Sequence, residues 1–451
     1  MDLIIKNGLI FNDDSSVCAD IAVNDGKIVC IGQGLDYDAK RIVDAKGLFV
    51  LPGGVEPHAH FSVPFFGTVS CDDYSSGTCA AAHGGVTCVI DFATQEKGHG
   101  LMEMVESRKA MADGETFVDY SFHMIMTDAN PQALAEIPML VDAGIPSIKV
   151  YMVYKKEGLM MDDADMFRIL RITRDCGGLM SVHAENPDII DLLTDEFMSE
   201  GKTDALHHFL SRPEFVSAEA TKRVLHWATT LNAPLYVVHV SDKESMSAIQ
   251  AAQQAGHEIY AETCPQYLNF TSDVYTRHDA KRFVCSPPMK GAESQAALWD
   301  AVKTGAVSTI GSDHCPFMAA EKDAEVAFPM TPNGMMGIET RYSYMLSEAL
   351  KGRLSISRAV KLCAAAPAKI FGCRSKGTLE IGKDADIVLF DPNARHVLTA
   401  ADNHSKVDHS IWDGYDAYGK IIATFCRGEL IVENGKVVGT PGYGKFIKRQ
   451  R

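Results

Sequence analysis

The sequence contains no apolar run approaching the roughly 18–20 residues needed to cross a bilayer, which argues against a membrane span. The opening residues Met1-Asp2-Leu3-Ile4-Ile5-Lys6-Asn7-Gly8 lack a basic segment followed by a long apolar stretch, so they do not read as a secretory signal. Cys-x-x-Cys pairs are absent, and the twelve cysteines follow no regular spacing. That pattern fits reduced thiols rather than a disulfide framework and predicts a cytoplasmic protein. Positive charge is in short supply. Lys and Arg number 43 against 59 Asp and Glu, a formal net charge of −16 that disfavours a nucleic-acid partner. A Gly-rich phosphate turn after the first strand is also missing, which counts against a doubly wound, nucleotide-binding sheet.

What remains is an ordinary soluble composition, 46% hydrophobic and 23% charged. Its 451 residues exceed what one core of typical size requires, so a large domain with a smaller one is expected. Both ends read as β structure. Residues 20–23 and 27–31 flank Asn24-Asp25-Gly26, and residues 429–432 and 436–438 flank Glu433-Asn434-Gly435, two strong hairpin signals. Residues 385–390 add another strand. The two ends therefore predict one small β-sandwich, built from 1–52 and 373–440 around a central unit at 53–372. The basic tail at 441–451 reads as a solvated or subunit-bridging end.

In the central unit, short apolar runs at 54–58, 87–92, 119–125, 147–151, 179–183, 235–239, 258–262 and 307–311 alternate with helical patterns. The clearest helices are 131–143, 162–175, 217–231 and 241–255, several opened by a Ser or Asp suited to an N-cap. Eight strands alternating with helices predict a (β/α)8 barrel.

In such a barrel, chemistry belongs at the C-terminal strand ends. His58 and His60 close the first strand and face the same way, because i and i+2 share a side of an extended segment. His183 closes the fifth strand, His239 the sixth, and Asp313 follows the eighth. Neutral imidazoles with a carboxylate suit zinc, and their joint placement at several strand ends is what a metal centre needs. Lys149 stands in the apolar fourth strand, where a charged ammonium is costly. Two readings are open: a Lys paired with a nearby carboxylate, or a neutral amine that takes up carbon dioxide as a metal-bridging carbamate.

At these residues the chain resembles the cyclic amidohydrolases of the dihydropyrimidinase and hydantoinase branch. The matching motifs are Pro52-Gly53-Gly54-Val55-Glu56-Pro57-His58-Ala59-His60, Ile148-Lys149-Val150-Tyr151-Met152-Val153-Tyr154, Val182-His183-Ala184-Glu185-Asn186, Val238-His239-Val240-Ser241, Glu262-Thr263-Cys264-Pro265-Gln266-Tyr267 and Gly311-Ser312-Asp313-His314-Cys315. The family usually has Asp where Glu56 stands. The resemblance implies a barrel with a β-sandwich from both termini, and a homotetramer. It implies two divalent metals, most often zinc. One is held by His58, His60, carbamylated Lys149 and Asp313, the other by the same carbamate with His183 and His239. It further implies ring opening by a metal-bridging hydroxide, with Asp313 shuttling the proton and Tyr154 stabilising the oxyanion. Ser286 and Asn333 would read the ring amide, largely through backbone groups.

The ring itself is less constrained. Dihydroorotase relatives carry Arg two residues after the His-x-His pair, whereas this chain has Ser62, so a carboxylate-bearing ring lacks its clamp. Allantoinases tend to have Asn there and stand as the alternative branch. A non-catalytic interaction protein of the same lineage is disfavoured, since all six ligand positions hold competent residues. Phe65 and Phe66, with Tyr151 and Leu159, either line an apolar pocket for a ring substituent or pack beneath the loop. The expected ligand is a small cyclic amide or imide, with dihydropyrimidines and 5-substituted hydantoins favoured.

Overall fold

The computed structural model describes residues 1–65 and 67–451. Eight parallel strands pair in chain order: Gly54–Ala59, Val86–Thr94, Asp119–Ile125, Ser147–Tyr151, Leu179–His183, Leu235–Val237, Ile259–Thr263 and Thr309–Ile310. An isolated parallel bridge between Ala59 and His314 joins the two edges, with the His60 amide donating to the His314 carbonyl at 2.8 Å. The sheet closes into the expected barrel. Its third, fourth and fifth strands are buried along their whole length, as strands sandwiched between helices and a filled interior must be.

The strands fall where the apolar runs predict, with one systematic difference. The sixth and eighth stop at Val237 and Ile310, short of the sequence expectation. Just beyond them His239 (φ 38°) and Asp313 (φ 51°) adopt left-handed backbone, which ends an extended ladder.

Between strands run amphipathic helices. Pro131–Asp142 is capped by Asn130, Asp163–Asp175 by Asp162 and Lys243–Gln254 by Asp242. Two serine caps expected from sequence are not used. The helix over 217 starts earlier, as Glu214–Leu231 behind Pro213, and buries Ser217 inside; next to Ser241 the Asp242 carboxylate accepts the Ser245 amide instead.

The two chain ends meet in one nine-stranded sheet. Phe49–Pro52 from the N-terminal part pairs antiparallel with Ile387–Val397 from the C-terminal part, Pro52 opposite Ile387. Leu3, Ile21, Val23, Val50, Ile387 and Phe425 form a core separate from that of the barrel. Both predicted hairpins are present. Their two-residue turns, Asp25-Gly26 and Asn434-Gly435, have positive φ at both positions, the geometry that matches strand twist. Buried Lys376 fastens this sheet to the barrel, lying 2.5 Å from Asp119, 2.9 Å from Asp386 and 3.0 Å from Asp384.

The basic tail departs from expectation. Several of its residues are exposed, yet it does not hang free: it runs along the third barrel strand, where the Tyr120 amide donates to the Lys445 carbonyl and the Ile447 amide to the Tyr120 carbonyl. Arg449 is fully buried. Its guanidinium donates to the Ser121 and Ser147 hydroxyls, each at 2.9 Å, and to the Phe122 carbonyl. Charge counting misses this because the planar guanidinium is satisfied by hydroxyls and carbonyls that leave no sequence signature.

Arg449→Ala is therefore expected to destabilise the fold by roughly 2–4 kcal/mol, through unpaired buried acceptors and a cavity. Urea denaturation checks this; an unchanged midpoint would mean that the plug carries no stability.

Candidate active site

The strand ends converge on a cavity of about 470 Å³ at the barrel mouth, lined by His58, His60, Lys149, His183, His239 and Asp313, with Tyr154, Ser286 and Asn333. All six expected ligands are thus neighbours. Asp313 Oδ1 lies 3.1 Å from His58 Nε2 and 3.4 Å from His60 Nε2. The rings of His183 and His239 meet edge to face at 4.4 Å, and that of His239 lies 5.6 Å from His58. Lys149 Nζ approaches the Tyr151 ring centroid at 5.0 Å and that of Phe92 at 5.6 Å.

Backbone strain is concentrated at the same place. Tyr154 (φ 67°), His239 and Asp313 all lie in the left-handed region, which side chains with a Cβ adopt at a cost. In each case the turn comes directly after a barrel strand, where an extended residue would continue the ladder.

Carboxylates fix the imidazoles. His58 Nδ1 lies 2.6 Å from Glu262 Oε1, which leaves Nε2 facing Asp313. Glu262 also accepts the His239 amide at 3.1 Å and the Tyr236 hydroxyl at 2.8 Å. His183 Nε2 lies 2.7 Å from Glu185, itself held by Arg212 at 2.7 Å, so its free nitrogen is Nδ1. Such carboxylate–histidine pairs orient the ring and select the tautomer of metal-binding imidazoles. Glu56 is fully buried beside the site. It accepts the His58 and Ser312 amides and pairs with Arg341 at 2.8 Å, so it contacts only the scaffold.

Electrostatics favour the ligand forms. Burial holds the imidazoles of His60, His183 and His239 below the ordinary histidine range, so they carry free lone pairs near neutral pH. Burial pushes the Asp313 carboxyl up, but His58, His60 and His239 outweigh it and keep the group well below the usual carboxylate range. Burial draws the Lys149 amine down to about 8, and among the described residues Nζ has no hydrogen-bond partner. His239 Nδ1 is likewise buried without a partner. This set of bare nitrogens around one carboxylate fits a divalent metal. His58, His60 and Asp313 alone offer three ligand atoms within 4.8 Å of one another.

Beside the histidine–aspartate cluster, Tyr154 packs edge-on against Phe65 at 5.5 Å and against Tyr151 at 5.7 Å. Burial raises the Tyr154 phenol well above its ordinary range, so it is a donor at neutral pH; Arg212 and a hydrogen bond with Ser286 pull the other way. Phe65, Tyr151, Tyr154 and Leu159 form one apolar cluster on a wall of the cavity. Phe66 lies outside the described residues.

The matched family model covers residues 49–431 and is that of the amidohydrolase family. The chain belongs to the amidohydrolase family. Relatives span its full length. It is 40% identical to the D-hydantoinase of Ralstonia pickettii, covering 100% of this chain and 99% of that one. The solved dihydropyrimidinase of Brevibacillus agri NCHU1002 superposes with a TM-score of 0.98 at 38% identity, covering 100% and 99%. The solved L-hydantoinase of Arthrobacter aurescens gives 0.90 at 31% identity, covering 99% and 100%. The amidohydrolase family is dinuclear-metal dependent, in keeping with the cluster described above.

Sequence reasoning did not single out Glu262, Glu185 or Arg212. The first two carried a signal: a carboxylate ending an apolar strand, and one standing two residues after a ligand histidine. Arg212 carried none, because it arrives from a distant loop. Glu262→Gln keeps the shape but weakens the hold on His58, and is expected to lower metal affinity about 10- to 100-fold. Competition with a chelator measures this; wild-type affinity would make Glu262 a packing residue only.

Proposed function

We propose that this amidohydrolase opens the cyclic amide bond of 5,6-dihydropyrimidines and 5-substituted hydantoins, releasing N-carbamoyl amino acids. The observation that carries this reading is the bare, buried Lys149 amine among four histidines and Asp313, at a barrel mouth walled by Tyr154 and Phe65. Full-length relatives named D-hydantoinase and dihydropyrimidinase support it.

Lys149 would react as its neutral amine. Nitrogen attacks carbon dioxide, an N–C bond forms, a proton leaves, and a carbamate with two ligand oxygens results. Zinc is the natural choice for this donor set. His58, His60, Asp313 and one carbamate oxygen would hold the first ion; His183, His239 and the other oxygen would hold the second. Such a pair supplies Lewis acidity and a water acidic enough to lose its proton near neutral pH. Asp313 takes that proton on its carboxylate as the water oxygen bonds to the ring carbonyl carbon, and returns it to the ring nitrogen as the C–N bond breaks, leaving that carbon as a carboxylate. The Tyr154 hydroxyl donates to the carbonyl oxygen as negative charge develops there. Backbone groups at Ser286 and Asn333 hold the ring amide in register. We further assign the chain to the cytoplasm as a homotetramer, on family resemblance and on its reduced-thiol composition.

The specificity reading rests on Ser62, which lines the cavity where an arginine would be needed to clamp a ring carboxylate, and on the apolar wall that penalises a desolvated charge. Dihydrouracil and 5-phenylhydantoin are expected to be hydrolysed, and dihydroorotate to be slow or inert. Steady-state rates on these, with hydantoin and allantoin, decide the matter. The highest kcat/KM on dihydroorotate would overturn the substrate assignment, and a preference for allantoin would move the chain to the alternative branch.

A further inference from the structure

Lys322 ends the short helix Ala319–Lys322 and is only 1% exposed. Burying an ammonium is costly unless its donors are met. Among the described residues no carboxylate pairs with it. Three backbone carbonyls do: Val284 at 2.8 Å, Pro332 at 2.7 Å and Gly334 at 3.0 Å. Three N–H donors thus face three acceptors, and the carbonyl dipoles favour the charged form against the burial that draws the amine down to about 7.

The identity of those carbonyls matters. Val284 lies two residues before Ser286, while Pro332 and Gly334 flank Asn333 on either side. The two loops are also tied directly, the Gly334 amide donating to the Val284 carbonyl at 3.1 Å. Gly334 has a φ of 146°, and a Cβ there would come within 2.3 Å of the Cys315 carbonyl oxygen, so only glycine allows the second loop to pass this close to the strand end that bears Asp313. Ser286 and Asn333 themselves line the cavity, whereas Lys322 does not.

We propose that Lys322 is a positioning residue for substrate recognition, its ammonium setting the spacing and orientation of the Ser286 and Asn333 peptide groups that hold the ring amide. This rests on the reading that those two residues hold the ring. Lys322 touches neither ring nor metal ligands. Its loss therefore acts on ground-state binding and on alignment, while the metal cluster stays intact. Displacements of about 1 Å in groups that position a substrate cost up to about a hundredfold.

The test compares the metal-loaded wild type with Lys322→Met, which keeps length and removes every donor, and with Lys322→Arg, which keeps charge and partly restores donors. Three quantities are measured: metal content, amide hydrogen exchange in 284–287 and 331–335, and KM and kcat on dihydrouracil. Lys322→Met is expected to retain wild-type metal, to exchange faster in both loops, and to raise KM roughly 10- to 100-fold with a smaller fall in kcat. Lys322→Arg should fall between it and the wild type, and carries the test if Lys322→Met does not fold. Unchanged exchange in the two loops would overturn the clamp. Faster exchange beside a wild-type KM would overturn the positioning role. A wild-type enzyme without turnover on any cyclic amide would overturn the ring reading itself, and this role with it.

Discussion

A primary amine buried in an apolar strand beside two aromatic rings is the constraint on which the rest of the site depends. Lys149 Nζ is completely buried, and among the described residues nothing accepts from it. A protonated lysine in that position bears a desolvation cost that Asp313 and Glu262 offset only in part, whereas a neutral one does not. Burial draws the amine down to about 8 against the pull of Asp313 and Glu262, so a larger share of it is neutral near pH 7 than of an ordinary lysine. The rings of Tyr151 and Phe92 lie beside it, and the Asp313 carboxylate at the mouth is engaged by His58 and His60. On the proposed reading, the neutral fraction of this amine, facing four imidazoles, would take up carbon dioxide and become a bridging anion.

Around that centre, the imidazoles of His58 and His183 are each held from behind by a carboxylate. Glu262 reaches His58 through its side chain and His239 through its backbone, coupling the first and sixth strands through the seventh. Arg212 and Glu185 do the same for His183. At the opposite end of the barrel, Arg449 from the C-terminal tail bonds Ser147, two residues before Lys149 on the same strand. The strand that carries the lysine is thus pinned at its start by the tail and opened at its end by the left-handed turn at Tyr154. Precision at the mouth depends on this rigidity, because ligand geometry tolerates little drift.

Much of the fold is legible in sequence because it follows from periodicity. The third, fourth and fifth strands match their apolar runs residue for residue, and the two hairpins announce themselves through Asp25-Gly26 and Asn434-Gly435. The convergence of the strand-end histidines is legible because alternation along a strand makes His58 and His60 point together, whereas the sequence leaves Lys149 open between a carboxylate-paired lysine and a carbamate. What periodicity cannot carry is any partnership formed across the fold. Arg212, Lys322 and Arg449 are ordinary cations in sequence, and only tertiary structure shows each of them buried among carbonyls, hydroxyls or a carboxylate. The shortened sixth and eighth strands escape notice for a related reason. Their strain belongs to the site, where function overrides the local preference of the chain.

The central claim is that Lys149 is carried as a carbamate. Carbon-13 NMR of the metal-loaded enzyme, equilibrated with labelled bicarbonate, addresses it without reference to any substrate. The account predicts one labelled carbamate carbon per chain, retained after free label is removed because the group is enclosed. A fully metal-loaded and active enzyme showing no labelled carbamate would contradict it.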